Sequence, residues 1–390
     1  MQDEGIARQA PADDIAVATR ESRPPRRTLT PPHASGAEAQ APTAAEVARA
    51  EAFCREILPA ASRTFALSIR ALPGTLGRAV LAAYLICRIA DTVEDERTIA
   101  PPDKARLLDA LLGCFEGQTR AAAFPDLVPP LGGDPQHARL VRHAPDVFLV
   151  YRSLPSRTRA HVRRWVEEMV RGMRLFVLRH PDGIRIQTLD EFREYCYYVA
   201  GTVGYMLTDL WHEHSSAIDR RRYVRLRRHA QAFGRALQTV NILKDVAQDA
   251  ADENSIYLPE QTLRRHGSGH ATLLAPHFVA RNHAAVTELV ELAWRDLEEA
   301  RVYVLALPRR AVAIRLFCIF PLLFAYATLR DLTRTTAMLT PSGAPKISRR
   351  EVKRLLLGGS LLVMSNRGVR WLTERAEGGS RRAGERDGGA

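Results

Sequence analysis

Apolar residues recur every three or four positions from residue 44 to residue 372, and no run of alternating β-branched residues stands out. That spacing marks helices with one buried face. It predicts helices over 48–71, 75–95, 102–115, 140–150, 156–178, 190–211, 223–250, 277–307, 312–332 and 348–372. Helix breakers fall between them, among them Pro73-Gly74, Pro101-Pro102, Pro129-Pro130, Pro155, Pro181-Asp182-Gly183 and Pro308. The expectation is a single all-α domain of roughly ten helices, with no internal repeat.

The chain has 390 residues, 46% of them hydrophobic, enough for one large core. Residues 1–43 are rich in Pro, Ala and charge without periodicity and read as a disordered arm. They lack the apolar stretch of a secretory signal. Residues 44–372 read as the domain and 373–390 as a solvated tail. Cys54, Cys87, Cys114, Cys196 and Cys318 sit among apolar residues without CxxC spacing, as buried thiols in a reducing compartment would.

The net charge of +12 leaves three kinds of partner open: nucleic acid, an anionic membrane surface, or anionic small molecules. No basic stripe is interleaved with stacking aromatics, so no nucleic-acid partner is expected. The segment 311–328, AVAIRLFCIFPLLFAYAT, is interrupted by Arg315 and Pro321 and reads as a buried central helix. The run 355–364, LLLGGSLLVM, is too short to span a bilayer but is flanked by Arg349, Arg350, Lys353 and Arg354. It is suited to resting on a membrane surface.

The apolar helix 75–95 ends in TVEDE. Asp91 and Asp95, four apart, share a face with Glu94 close beside them. Tyr84 and Arg88 precede them on that face. A second run, LQTVNILKDVAQD, places Asn241, Asp245 and Asp249 in phase, with Gln238 and Gln248 near that face. Like charges at this spacing weaken a helix unless a cation lies between them. Carboxylate and amide oxygens suit Mg²⁺, which binds through one or two carboxylates plus substrate phosphates and water; Mn²⁺ is the alternative. One such pair alone is commonly a solvated face. Two pairs, each continuing an apolar helix, point to Mg²⁺–diphosphate binding between facing helices.

Arg63, Arg88 and Lys244 are the cations placed to neutralise the remaining phosphate oxygens. No Gly-rich phosphate loop or dinucleotide fingerprint is present. The chemistry left is metal-assisted departure of diphosphate from an allylic carbon. The resulting cation needs a dry aromatic pocket. Phe65, Tyr84, Tyr195, Tyr197, Tyr198, Phe317 and Phe320 are candidates to line it.

These residues stand in a longer ordered set: S-R-T-F at 62–65, Y-x-x-x-R-x-x-D-T-V-E-D at 84–95, M-x-x-G-M at 169–173, Y-C-Y-Y-V-A-G-T-V-G at 195–204, the run at 237–249, Y-L-P at 257–259, R-L-F-C-x-x-P at 315–321, and Lys346-Ile347. The set resembles the squalene/phytoene synthases, the head-to-head prenyl transferases, and most of all their squalene synthase branch. The resemblance implies a class I isoprenoid synthase fold, with helices around a central cavity. It implies that Asp91, Glu94, Asp95, Asn241, Asp245 and Asp249 hold Mg²⁺ on farnesyl diphosphate. Arg63 and Arg88 would grip diphosphate, and Lys244 would support the second metal site. Tyr198 would stand near the leaving diphosphate and Phe65 would line the cation pocket. Phe317, Cys318 and Pro321 would form a deep apolar pocket where presqualene diphosphate rearranges. Lys346 and Arg349 would meet NADPH. The resemblance further implies a monomer in the cytoplasm, peripherally bound to the inner face of a membrane. Three positions depart from it: Gln248, where many relatives carry an acid; 253–256, E-N-S-I, where many carry Arg before the tyrosine; and Leu322, where squalene synthases carry Gln. A dehydrosqualene or phytoene synthase without the reductive step and a non-catalytic assembly factor are the alternatives.

Overall fold

The computed structural model describes residues 42–340 and 346–378. Thr43 caps the first helix: its hydroxyl accepts from the Glu46 backbone, and the Glu46 carboxylate accepts from the Thr43 backbone. Sixteen α-helices follow among the described residues: α1 (Ala44–Ala61), α2 (Arg63–Arg70), α3 (Gly74–Asp95), α4 (Pro101–Gly113), α5 (Gln118–Leu127), α6 (Pro135–Arg142), α7 (Ala144–Arg152), α8 (Ser156–Arg179), α9 (Leu189–Cys196), α10 (Thr202–His214), α11 (Arg220–Gln248), α12 (Glu260–Arg265), α13 (Val279–Ala306), α14 (Val312–Leu332), α15 (Arg349–Leu362) and α16 (Asn366–Glu377). No strand forms among them; one isolated bridge pairs Arg185 with Ile256.

The all-α expectation holds, but several expected helices divide. The stretch 48–71 breaks at Ser62, whose hydroxyl accepts from the Phe65 backbone and starts α2. The stretch 190–211 is interrupted by a π-helical turn at Tyr197–Gly201, and a second π turn, Asp249–Glu253, follows α11. The helix at the C-terminal end runs past residue 372 to Glu377, because Thr373 and Ala376 are buried and Gly378, at φ 70°, closes it. The expected tail, 373–390, therefore begins inside this helix; its residues 379–390, and residues 1–41 of the expected arm 1–43, lie outside the described residues.

Helix α3 runs through the core, packed by α1, α7 and α8. Between Ala79 and Val93 only Tyr84, Arg88, Asp91 and Thr92 escape burial, and these share one face with Asp95. Each fully buried Leu or Ile of this helix contributes about 1.5–3 kcal/mol. Helix α11 packs against α10, α13 and α14. At Gly234 a Cβ would lie 2.0 Å from the Ala200 carbonyl oxygen, so only glycine lets α11 approach the first π turn this closely. The five cysteines are free and buried, as expected.

Helix α14 is long and apolar enough to cross a membrane, yet 72% of its most apolar window is buried inside the fold. It is packed by α2, α11, α13, α15 and α16. Its Arg315 is fully buried. The guanidinium donates to the carbonyls of Val363 (2.6 Å) and Leu307 (2.7 Å) and to Asn366 Oδ1 (3.0 Å). Neutral acceptors satisfy this interior cation.

Candidate active site

The open face of α3 carries the first carboxylate cluster. Arg88 Nη1 lies 3.6 Å from Asp91 Oδ2. Burial works against the Arg88 charge, but Asp91, Tyr84 and Asp95 outweigh it and hold the guanidinium firmly protonated. Burial raises the Asp91 carboxyl above its ordinary value, with Arg88 opposing. The Asp91 side chain nevertheless keeps 28% of its surface open, the combination expected of a group lining a recess. Glu94 is only 6% exposed and its Oε1 has no hydrogen-bond partner. Burial first, then Asp91, pushes its carboxyl up to about 8. Lys104 donates to the Glu94 backbone carbonyl and sets a cation beneath the cluster.

The second cluster stands at the end of α11. Lys244 Nζ lies 2.9 Å from Asp245 Oδ2 and donates to Asn241 Oδ1 at 3.1 Å. Openness falls along this face: Asn241 is exposed, while Asp245 and Asp249 are half-buried. Burial, Glu253 and Asp245 push the Asp249 carboxyl up to about 9. Gln238 is half-buried and Gln248 is exposed.

The two clusters meet. Arg97, just past α3, donates from Nη1 to the Ala251 carbonyl at 2.8 Å, which clamps the π turn after α11 against the end of α3. Across this joint, Asp95 is raised by burial and then by Glu253, and Glu253 in turn feels both Asp245 and Asp91. Six carboxylates therefore share one neighbourhood with Arg88, Lys244 and Lys104 as their cations. Two surface recesses lie elsewhere: one is lined by Arg222, Arg225, Arg309 and Arg310, the other by Gln187, Glu260 and Arg264.

Aromatic side chains flank the acids. Phe65 of α2 meets Tyr84 with ring centroids 5.6 Å apart. Tyr195 donates to Tyr257 Oη at 3.2 Å, and these buried rings stack below Glu94 and Asp95. Tyr198 lies on the first π turn, against Tyr197 (5.2 Å) and Phe176 (6.4 Å). A Cβ on Gly172 would fall 2.0 Å from the Tyr198 ring. Gly172→Ala is thus expected to turn Tyr198 out of place, with an overpacking cost of about 1–3 kcal/mol. A thermal melt coincident with wild type would show that the ring has room. Phe317 is buried edge-on to Trp211 at 5.3 Å, on the same helix as the buried Cys318 and Pro321.

A family model for squalene/phytoene synthase matches residues 58–351. The chain belongs to the squalene/phytoene synthase family. It is 27% identical over 292 residues to the squalene synthase of Schizosaccharomyces pombe, a match covering 72% of this chain and 59% of that protein. Its fold is similar to the solved structure of TcSQS with the ligand BPH1237, with a TM-score of 0.71 and 22% identity, covering 84% of this chain and 98% of that one. A dehydrosqualene synthase structure superposes less closely, with a TM-score of 0.51 and 23% identity over 80% of this chain and 96% of that one. The all-α isoprenoid synthase fold expected from the sequence is the fold observed.

For a squalene/phytoene synthase the acids fit a divalent cation: a buried Glu94 oxygen lacks any partner, and the surrounding carboxylates are held above their usual range by burial and mutual repulsion. No three acids among the described residues converge tightly enough to hold an ion alone. Mg²⁺ would need water and substrate phosphate to complete its shell here. Asp91, Glu94, Asp95, Asp245 and Asp249 are brought together, with Arg88, Lys244, Tyr84 and Phe65 beside them. Tyr198 has Glu194, Glu168 and Arg179 as its charged neighbours rather than the aspartates. Lys346 and Arg349 are exposed, next to residues 341–345, which lie outside the described part. Arg63 opens α2, but its side chain also lies outside it. Sequence reasoning gave no site role to Lys104, to Glu253, marked only within the 253–256 departure, or to Tyr257, marked only within the Y-L-P motif, and it did not foresee the two π turns. The polar run around Glu253 has no apolar phase that would mark it as an inward face.

Proposed function

We propose that this chain is a squalene synthase: it condenses two farnesyl diphosphates head to head to presqualene diphosphate and reduces that to squalene. The observation that carries the reading is the junction of two carboxylate clusters on α3 and α11, clamped through Arg97 and Ala251. When bound, Mg²⁺ supplies the charge that draws off diphosphate and NADPH supplies the hydride. The chain's own residues do the rest. Asp91, Glu94, Asp95, Asp245 and Asp249 orient the diphosphates, with Asn241 and Lys244 at the outer edge of the second cluster. Arg63 and Arg88 take phosphate oxygens that the metal leaves free, with Gln238 near the same face. Tyr84 and Phe65 present ring faces to the developing cation. Tyr198 stands by the leaving group. Phe317, Cys318 and Pro321 keep water from the rearranging intermediate. Lys346 and Arg349, which have no carboxylate partner among the described residues, meet the phosphates of NADPH.

A second reading, a dehydrosqualene or phytoene synthase, is favoured by Leu322, fully buried and without a polar group. Mass spectrometry of products from farnesyl and geranylgeranyl diphosphate with Mg²⁺ separates the readings. Squalene formed only with NADPH is the expected result. A conjugated triene indifferent to NADPH establishes the second reading, and preference for the C20 substrate points to phytoene.

The proposed site of action is the inner face of a membrane, reached by a cytoplasmic monomer. The solvent face of α15 and α16 supports it. Leu357 (63% exposed), Leu361 (73%), Met364 and Trp371 lie open there, bordered by Arg350, Lys353, Arg354, Arg367 and Arg370. Apolar side chains rimmed by cations suit an anionic bilayer surface.

A further inference from the structure

The loop after the second cluster is held more firmly than its composition suggests. Helix α11 passes into the π turn Asp249–Glu253, and Asn254 leaves it in the left-handed conformation at φ 55°. Arg185 donates to the Asn254 side chain at 2.6 Å, and Asn254 donates to the Asp182 carbonyl at 2.9 Å. Ser255 donates its backbone N–H to the Asp249 carbonyl at 3.0 Å. From the other side, Arg97 grips Ala251. Both anchors hold backbone or Asn254; neither engages the Glu253 carboxylate. Among the described residues, no hydrogen bond or salt bridge neutralises Glu253, although it is more than half withdrawn from solvent.

Its charged surroundings are Asp245 and Asp91, one from each cluster, followed by Arg88 and Asp252. Asp95, Glu94 and Asp249 each register it in turn. A carboxylate held by its backbone among the five cluster acids and Asp252, with no salt-bridged cation among the described residues, raises the energy of the metal-free fold. The buried, unpartnered Glu94 oxygen in the same group shows that a positive ligand is wanted here.

We infer that Glu253 is a sixth metal-holding carboxylate, positioned by the π turn to serve both clusters at once, in place of the exposed and uncharged Gln248. This rests on the metal–diphosphate reading of the site. A π turn re-aims its residues relative to a continuous α-helix; here it ends at Glu253, beside the Arg97 clamp to the end of α3 and with Asp91 of α3 among its charged neighbours, while Gln248, the last residue of α11, stays in solvent.

The test uses the full chain stripped of metal, with Mn²⁺ binding followed by electron paramagnetic resonance in the presence of inorganic pyrophosphate. Glu253→Gln is expected to weaken Mn²⁺ binding at least ~10-fold, in the range known for groups that support a metal site. Glu253→Asp should retain most of it, and Asp252→Asn, a change at the exposed neighbour, should leave it unaltered. In chelator, Glu253→Gln should melt at or above the wild-type temperature, since one repelling charge is gone. Wild-type Mn²⁺ affinity in Glu253→Gln overturns the inference alone. Equal loss in the Gln and Asp variants, with a lowered melt in chelator, also overturns it, by showing that Glu253 merely holds the turn. Failure of the wild-type chain to bind Mn²⁺ with pyrophosphate overturns the underlying metal reading as well.

Discussion

Asp91→Asn is expected to cut pyrophosphate release by at least roughly 10³-fold while leaving helical circular dichroism unchanged, because in the proposed site the metal would lose a charged oxygen just where leaving-group charge would develop. Asn keeps the shape of the side chain. It also removes a charge that burial disfavours, which offsets the lost contact with Arg88, so the helices stay folded. Asp245→Asn should behave alike, since it supplies the opposite side of the junction with Lys244 at 2.9 Å. Combining the two should add little further loss, as residues acting as one unit are not additive. A pyrophosphate-release assay decides it. Near-normal turnover in either single variant would count against the assignment of both clusters.

The second large effect concerns pH. Burial, with like charges after it, raises the carboxyls of Glu94, Asp95, Asp249 and Glu253 in the metal-free fold, Asp249 to about 9. The folded chain then binds protons that the unfolded chain, titrating near pH 4, has already released. Stability therefore falls as pH rises, and the fall is complete only above the folded values. Chelated protein should melt at progressively lower temperature from about pH 5 to about pH 9. Magnesium with pyrophosphate binds the ionised acids, so its stabilising shift should grow over the same interval. Melting curves in chelator and in Mg²⁺–pyrophosphate across that range measure both trends. A chelated protein that grows more stable with rising pH would show the acids to be neutralised within the fold.

Much of this could be read from the residues. The three-and-four spacing of 75–95 foretold a buried helix, and Tyr84, Arg88, Asp91 and Asp95 fell on its one open face. Asp245 and Asp249 were legible for the same reason. Ser62 was not: its capping hydroxyl sits inside an apolar rhythm that continues across the break between α1 and α2. The π turns were hidden too. One extra residue in a turn leaves the spacing on either side intact, so the stretch 190–211 still looks like one helix. Glu253 stood out only as part of the departure at 253–256, because A-A-D-E-N-S has no apolar phase to mark an inward face; Arg97 and Arg185 hold the turn that carries it. Asn241 lies in phase with Asp245, yet the structure leaves it exposed at the outer end of the second cluster.

The buried Arg315 limits how far this protein can be trimmed. Two of its acceptors are the Val363 carbonyl, just past α15, and the Asn366 amide oxygen, at the start of α16. Shortened versions ending ahead of Val363 would leave an interior guanidinium with only the Val304 and Leu307 carbonyls on its Nη1 and with its Nε and Nη2 acceptors removed. Such fragments should collect in the insoluble fraction, whereas versions ending after Gly378 keep every one of these partners.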